Sequence, residues 1–184
     1  MTTLVSTAGS ETANSYATLA EANLFHQTVR PADETVWLQE AESTRERLLI
    51  MSTRLIDQHW QFIGLKKNTD QALQWPRQGC PKDGRWSNDG TLDYLADDTI
   101  PQFLKDATGE LARVLIETDT TGDPDGAGFK QIAMAGMAVT FDASDRISQG
   151  VIRSSVYSFL RKYGYYKPSL NSSSGQIGIA RVIR

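Results

Sequence analysis

Four stretches of the chain repeat their apolar residues at helical spacing. In "NSYATLAEANLFHQTV", Leu19, Ala22, Phe25 and Val29 fall on one face. Thr18 followed by Glu21 has the spacing of a capping box, which predicts that a helix starts there. His26 lies beside that face and reads as a partly exposed helical histidine. After Pro31 a longer helix is predicted from about Thr35 or Gln39 to Asp57. Trp37, Ala41, Leu48, Leu49, Ser52, Leu55 and Ile56 form its buried stripe. Glu40, Glu42, Arg45, Glu46 and Arg47 form its solvated face, with Arg45 three residues after Glu42 and Glu46 four residues after Glu42. A third helix has Pro101 in its first turn, capped by Asp98 or Thr99, with Phe103, Leu104, Ala107, Leu111, Val114 and Leu115 at helical spacing. The fourth is "SQGVIRSSVYSFLRKYG": Val151, Ile152, Val156, Phe159 and Leu160 point inward, Arg153, Arg161 and Lys162 outward, and Gly164 ends it.

The segments between them follow other patterns. Residues 58–98 are turn-rich, with four glycines from Gly64 to Gly90 and two prolines, and read as one long irregular connection. Pro76 restricts Trp75 to an extended backbone, so Trp60, Trp75 and Pro76 are expected to close one corner of the core. From Phe129 the period changes to two and slips at Ala135–Gly136, which predicts a β-hairpin over about residues 129–142. A lone hairpin is marginal, so Ile132, Met134, Met137 and Val139 are candidates for contact with another subunit. The expected fold is therefore mainly α, a bundle of about four helices with one hairpin, occupying residues 1–167. Residues 168–184 form an extended C-terminal arm. Its first half is too polar and Gly/Ser-rich to fold alone. Its end, Ile177, Ile179, Arg181, Val182, Ile183 and Arg184, needs a partner's groove or sheet edge.

Composition narrows the function. The 184 residues are 40% hydrophobic and 22% charged, as in an ordinary soluble domain. No apolar run is long enough to cross a membrane, and the first residues lack the pattern of a signal peptide, so synthesis in the cytoplasm is expected. Cys80 is the single cysteine and there are two histidines, which precludes an intrachain disulfide and leaves too few ligands for a structural zinc site. The aspartates of residues 119–128 lack the spacing of a calcium loop. No phosphate-cradling glycine motif, nucleophile elbow or zinc-protease helix occurs. The expectation is a binding or assembly protein, not an enzyme, with no catalytic residue, cofactor or metal.

Charge is unevenly placed. The net −3 divides into −4 over residues 1–53, +3 over 54–86, −8 over 87–126 and +6 over 127–184. Such alternation suits copies packed side by side. Within the second block, Trp60, Trp75 and Trp86 are interleaved with Lys66, Lys67, Arg77, Lys82 and Arg85. Aromatic rings among basic side chains are also how single-stranded DNA is gripped, which makes an ssDNA-binding module the alternative reading. Arg77 is expected to pair with an acidic neighbour, in the same subunit or the next.

Four segments, "SYATLAEANLFH", "RLLIMSTRLID" leading into "HW", "QALQWPR" and "IPQFLKDATGELA", occur in this order ahead of the β-rich stretch and last helix. Over roughly residues 14–163 the chain resembles the head–tail connector or adaptor proteins of tailed bacteriophages, some of which carry the label DnaT-like ssDNA-binding protein. The resemblance implies a structural virion protein at the head–tail interface, forming a ring, commonly dodecameric, under the portal. The ring would extend the DNA channel, with the portal protein above, a tail or nozzle protein below, and genomic DNA passing without sequence-specific contact or membrane involvement. The arm would reach the portal, and Asp and Glu of residues 87–126 or the first helices would line the channel. Residues 87–94 ("SNDGTLDY") and those after Lys167 lie outside the resemblance.

Overall fold

The computed structural model describes residues 3–29, 34–86, 92–118, 131–134, 137–140 and 151–167. Five helices lie among them: α1 (Leu19–Thr28), α2 (Glu34–Gln39), α3 (Glu42–His59), α4 (Gln102–Glu117) and α5 (Ser154–Leu160). The same residues hold eight short strands: β1 (Trp60–Phe62), β2 (Leu65–Lys66), β3 (Arg77–Gln78), β4 (Pro81–Trp86), β5 (Leu92–Tyr94), β6 (Gln131–Met134), β7 (Met137–Thr140) and β8 (Gly164–Tyr166). They pair antiparallel as β1–β8, β2–β3, β4–β5 and β6–β7.

The fold is thus mixed α and β, which corrects the expected four-helix bundle with a single hairpin. Five of the strands lie in the stretch read as an irregular connection. Four of these five have only two or three residues, too short to show a period of two. The pairing of β1 with β8 joins positions about a hundred residues apart, a register no local pattern encodes.

Helix α4 is the centre of the fold, with α1, α3 and α5 packed around it. Its Leu104, Ala107 and Leu111 are fully buried with Leu55 and Ile56 of α3 and Val156 and Leu160 of α5. A second cluster joins Ala22, Trp37, Leu49 and Ala112. Gly109 lets α1 approach closely, because a Cβ there would stand 3.3 Å from the Phe25 ring. The capping box opens α1: Glu21 N–H donates to Thr18 Oγ1 at 3.1 Å and Thr18 N–H donates to Glu21 Oε2 at 2.8 Å. Lys105 of α4 reaches Glu21 at 2.6 Å. Burial raises the Glu21 carboxyl, but Lys105 and the Thr18 donors outweigh it and hold it below its usual range.

Other local expectations change. The long helix breaks in two at Glu40–Ala41, where Ala41 is extended and caps α3 without a side-chain bond. Pro101, not Asp98 or Thr99, is the N-cap of α4. Helix α5 begins only at Ser154, so Val151 and Ile152 precede it. Two polar residues expected near solvent are buried. His26 packs against Trp37 with ring centres 4.7 Å apart. Arg45 lies over the Trp37 ring and donates to Asn23 Oδ1 at 2.8 Å. Asn23 also accepts from the Trp37 indole, so a short polar network bridges α1, α2 and α3.

Candidate functional site

The segment "QALQWPR" is structural at every polar position. Gln71 is buried and donates to the carbonyls of Leu73 and Pro76 at 2.9 and 3.1 Å, while its own oxygen accepts from Asn68 N–H. Gln74 donates to the Asp57 and Trp60 carbonyls at 2.7 and 3.1 Å, satisfying groups that the end of α3 leaves open. Arg77 pairs with no carboxylate among the described residues. Its guanidinium donates to the carbonyls of Ile63 (3.0 Å), Phe62 (3.2 Å), Gln74 (3.3 Å) and Gly64. Burial lowers the Arg77 pKa, partly offset by Tyr16, Cys80 and Asp57.

Trp60 and Trp75 are 0% and 1% exposed, and the Trp75–Pro76 peptide is cis. Neither indole can stack on a base without leaving the core. The Trp86 and Arg85 side chains lie outside the described residues. Lys67 pairs with Asp97 at 2.9 Å and Lys82 with Asp93 at 3.6 Å, so two of the five basic residues around these indoles are held by carboxylates.

The other candidate residues lie elsewhere. Ile132, Met134, Met137 and Val139 sit on β6 and β7, where Ile132 faces Val139 and Met134 faces Met137 across the register. Ile177, Ile179, Arg181, Val182, Ile183 and Arg184 fall outside the described residues. Cys80 is buried, and burial pushes its thiol up to about 11, with Arg77 pulling the other way. Among the described residues no group of three His, Cys, Asp or Glu is placed to hold a metal, and no helix is long and apolar enough to cross a membrane.

A different surface combines exposed rings with basic side chains. Residues 151–167 contain five aromatic and four basic side chains and no acidic one. Tyr157, Tyr165 and Tyr166 are 46%, 62% and 36% exposed. Strand β8 brings the last two beside the end of α3, through pairs Trp60↔Tyr166 and Gln61↔Tyr165. Tyr166 stacks on His59 with centres 5.8 Å apart, and Trp60 meets both Tyr157 and Tyr166 edge-on from below. Buried Trp60 is thus the floor under Tyr157 and Tyr166, while Tyr165, opposite Gln61, points to the other side of the ribbon. Arg161, one helical turn beyond Tyr157, shares its side of α5 and is exposed.

Lys167 fixes the end of this surface. Its N–H donates to the His59 carbonyl at 2.8 Å and its ammonium to the Asp57 carbonyl at 2.6 Å. Burial, then the Lys167 charge, lowers the His59 pKa, so the imidazole is neutral at pH 7. The Asp57 carboxyl beneath accepts from the Tyr16 hydroxyl and from Gln74 N–H. Burial raises it above its usual range despite those bonds, and it turns inward. The rule that singled out "QALQWPR" was equally available for "YSFLRKYGYYK". What local reading missed is the pairing with β1 that turns the end of that segment into a platform.

No curated protein and no solved structure matches the chain. Over its whole length, residues 1–184, it matches the family described as "Putative DnaT-like ssDNA binding protein", and it belongs to that family.

Proposed function

We propose that the protein binds single-stranded DNA on the face formed by α5 and β8. The observation that carries this reading is the set of three exposed tyrosines with Arg161, Lys162 and Lys167, in a stretch free of acidic residues. Base–ring stacking accepts any base, and the basic side chains track phosphates, so the expected binding is sequence-tolerant. The reaction is association alone, with no chemical step.

The test is fluorescence anisotropy with labelled oligo(dT) across a salt series. With three or four basic contacts, log K is expected to fall with log salt at a slope of about −2 to −3. Tyr165→Ala and Tyr166→Ala each weaken binding by about 1–3 kcal/mol; the fold stays intact in both, because Tyr165 is 62% exposed and Tyr166 packs at the end of the last strand, outside the two core clusters. Absence of binding at low salt, or binding that ignores both substitutions, overturns the reading.

A second reading is the head–tail connector ring. Sheet β6–β7 is two-stranded among the described residues, so each strand has an outer edge that a neighbouring copy's strand can extend. In that role the arm engages the portal, the acidic block faces the channel, and the protein resides in the virion. Light scattering of the purified protein, alone and mixed with portal protein, checks it: a ring-sized species is expected on mixing. A monomer mass that stays unchanged after mixing with portal protein removes this reading.

A further inference from the structure

The turn after β1 presents an apolar tip held unusually firmly. Leu65 is 76% exposed and Ile63 41%, on either side of Gly64. Gly64 has φ of +85°, and a Cβ there would stand 2.2 Å from the Gln78 carbonyl oxygen, so no other residue fits without displacing backbone. Arg77 holds the carbonyls of Phe62, Ile63 and Gly64 in succession. Leu65 and Lys66 then pair with Gln78 and Arg77. Aliphatic side chains set in water on a backbone fixed by a buried cation are pre-organised for contact.

The tip lies on the side of the β1–β8 ribbon that carries Tyr165, across the ribbon from Tyr166. Trp60 and Phe62 of β1 point into the core, so Gln61 and Ile63 point out. Gln61 is directly opposite Tyr165, which makes Ile63 a diagonal neighbour of Tyr165 on the outer face. Ile63 N–H donates to the Tyr163 carbonyl at 3.0 Å, extending the ribbon by one bond. Lys66, exposed beyond Leu65, adds a positive charge, its ammonium donating to the Gln71 carbonyl at 3.3 Å.

We propose that Ile63 and Leu65 form the second half of the single-strand site, an apolar wedge against which the base beyond Tyr165 packs, with Lys66 on its phosphate. The proposal rests on the reading of the α5–β8 face as the DNA surface. From Gln61 to Leu65 the ribbon spans at most about 13 Å. That adds about four nucleotide steps at the spacing of stacked bases. The ligand is therefore a strand long enough to cover both halves. Aliphatic wedges of this kind separate neighbouring bases and favour nucleic acid that is already unstacked.

Leu65→Ser is the direct test, since the side chain is on the surface and its loss leaves the core untouched. Its affinity for oligo(dT) of about twelve nucleotides is expected to drop about tenfold, while that for about four nucleotides stays within twofold of wild type. Leu65→Cys gives an independent readout, because Cys80 is buried and the new thiol can be labelled selectively with an environment-sensitive dye. The dye is expected to respond to the longer oligonucleotide. If both lengths bind Leu65→Ser as they bind wild type and the dye is silent, while Tyr165→Ala still weakens binding, the wedge is wrong and the tyrosine face stands. If wild type binds neither length, the DNA reading itself falls.

Discussion

Trp75→Ala is expected to cost about 3–5 kcal/mol, the range for emptying a large aromatic site in a close-packed core. Natural domains are stable by only about 5–15 kcal/mol, so the variant is expected to be largely unfolded at 37 °C. The indole is 1% exposed and meets Phe62 and Phe103 edge-on at 5.7 and 5.8 Å. Phe103 in turn stacks on Tyr163 at 3.8 Å, so the cavity would open between β1, α4 and the approach to β8. Trp75→Phe separates packing from hydrogen bonding. The Trp75 N–H is buried with no hydrogen-bond partner among the described residues, so losing it forfeits no bond. That variant is expected to retain most of the stability. Urea denaturation measures both, and a Trp75→Ala midpoint close to wild type would remove Trp75 from the core.

What the sequence made legible depends on how local each interaction is. The capping box at Thr18 and Glu21, the stripe of α3 from Leu49 to Ile56 and that of α4 from Leu104 to Leu111 all lie within one helix, and a period of 3.6 records them. His26 and Arg45 were misplaced because burial of a polar side chain depends on a partner from another helix. Arg45 needs Asn23, and both residues need the Trp37 ring. The strands of residues 60–94 were hidden for a related reason. Leu65 and Lys66 are a strand only because Arg77 and Gln78 lie opposite. The tyrosine face was missed in the same way: the aromatic and basic composition of residues 157–167 is visible, but its setting beside His59 follows from pairing across the chain. The single-stranded-DNA motif was thus sought at tryptophans that fill the core, whereas the exposed rings are tyrosines.

Arg77→Met is the second large effect, and it separates two roles for the same residue. A phosphate contact in a DNA-binding loop, when lost, lowers affinity and reduces the salt slope by about one, and the fold survives. The geometry here predicts the reverse. Four carbonyls lose a charged donor at once, and each that stays buried and unpaired costs about 1–3 kcal/mol. Gly64 lies at the turn tip, where water can recover part of that loss, so the expected destabilisation is about 3–5 kcal/mol. Arg77→Lys is expected to fall between Met and wild type, because an ammonium lacks the planar fork that spans successive carbonyls. Hydrogen exchange gives the local signature: in Arg77→Lys the amide of Lys67, which donates to the Pro76 carbonyl at 3.2 Å, is expected to exchange faster while the α4 amides stay protected. Stability within about 1 kcal/mol of wild type for Arg77→Met, together with a lowered salt slope, would return Arg77 to the DNA surface. Loss of stability with that local exchange pattern makes Arg77 the residue that positions the apolar tip, acting on any ligand only through the backbone it holds.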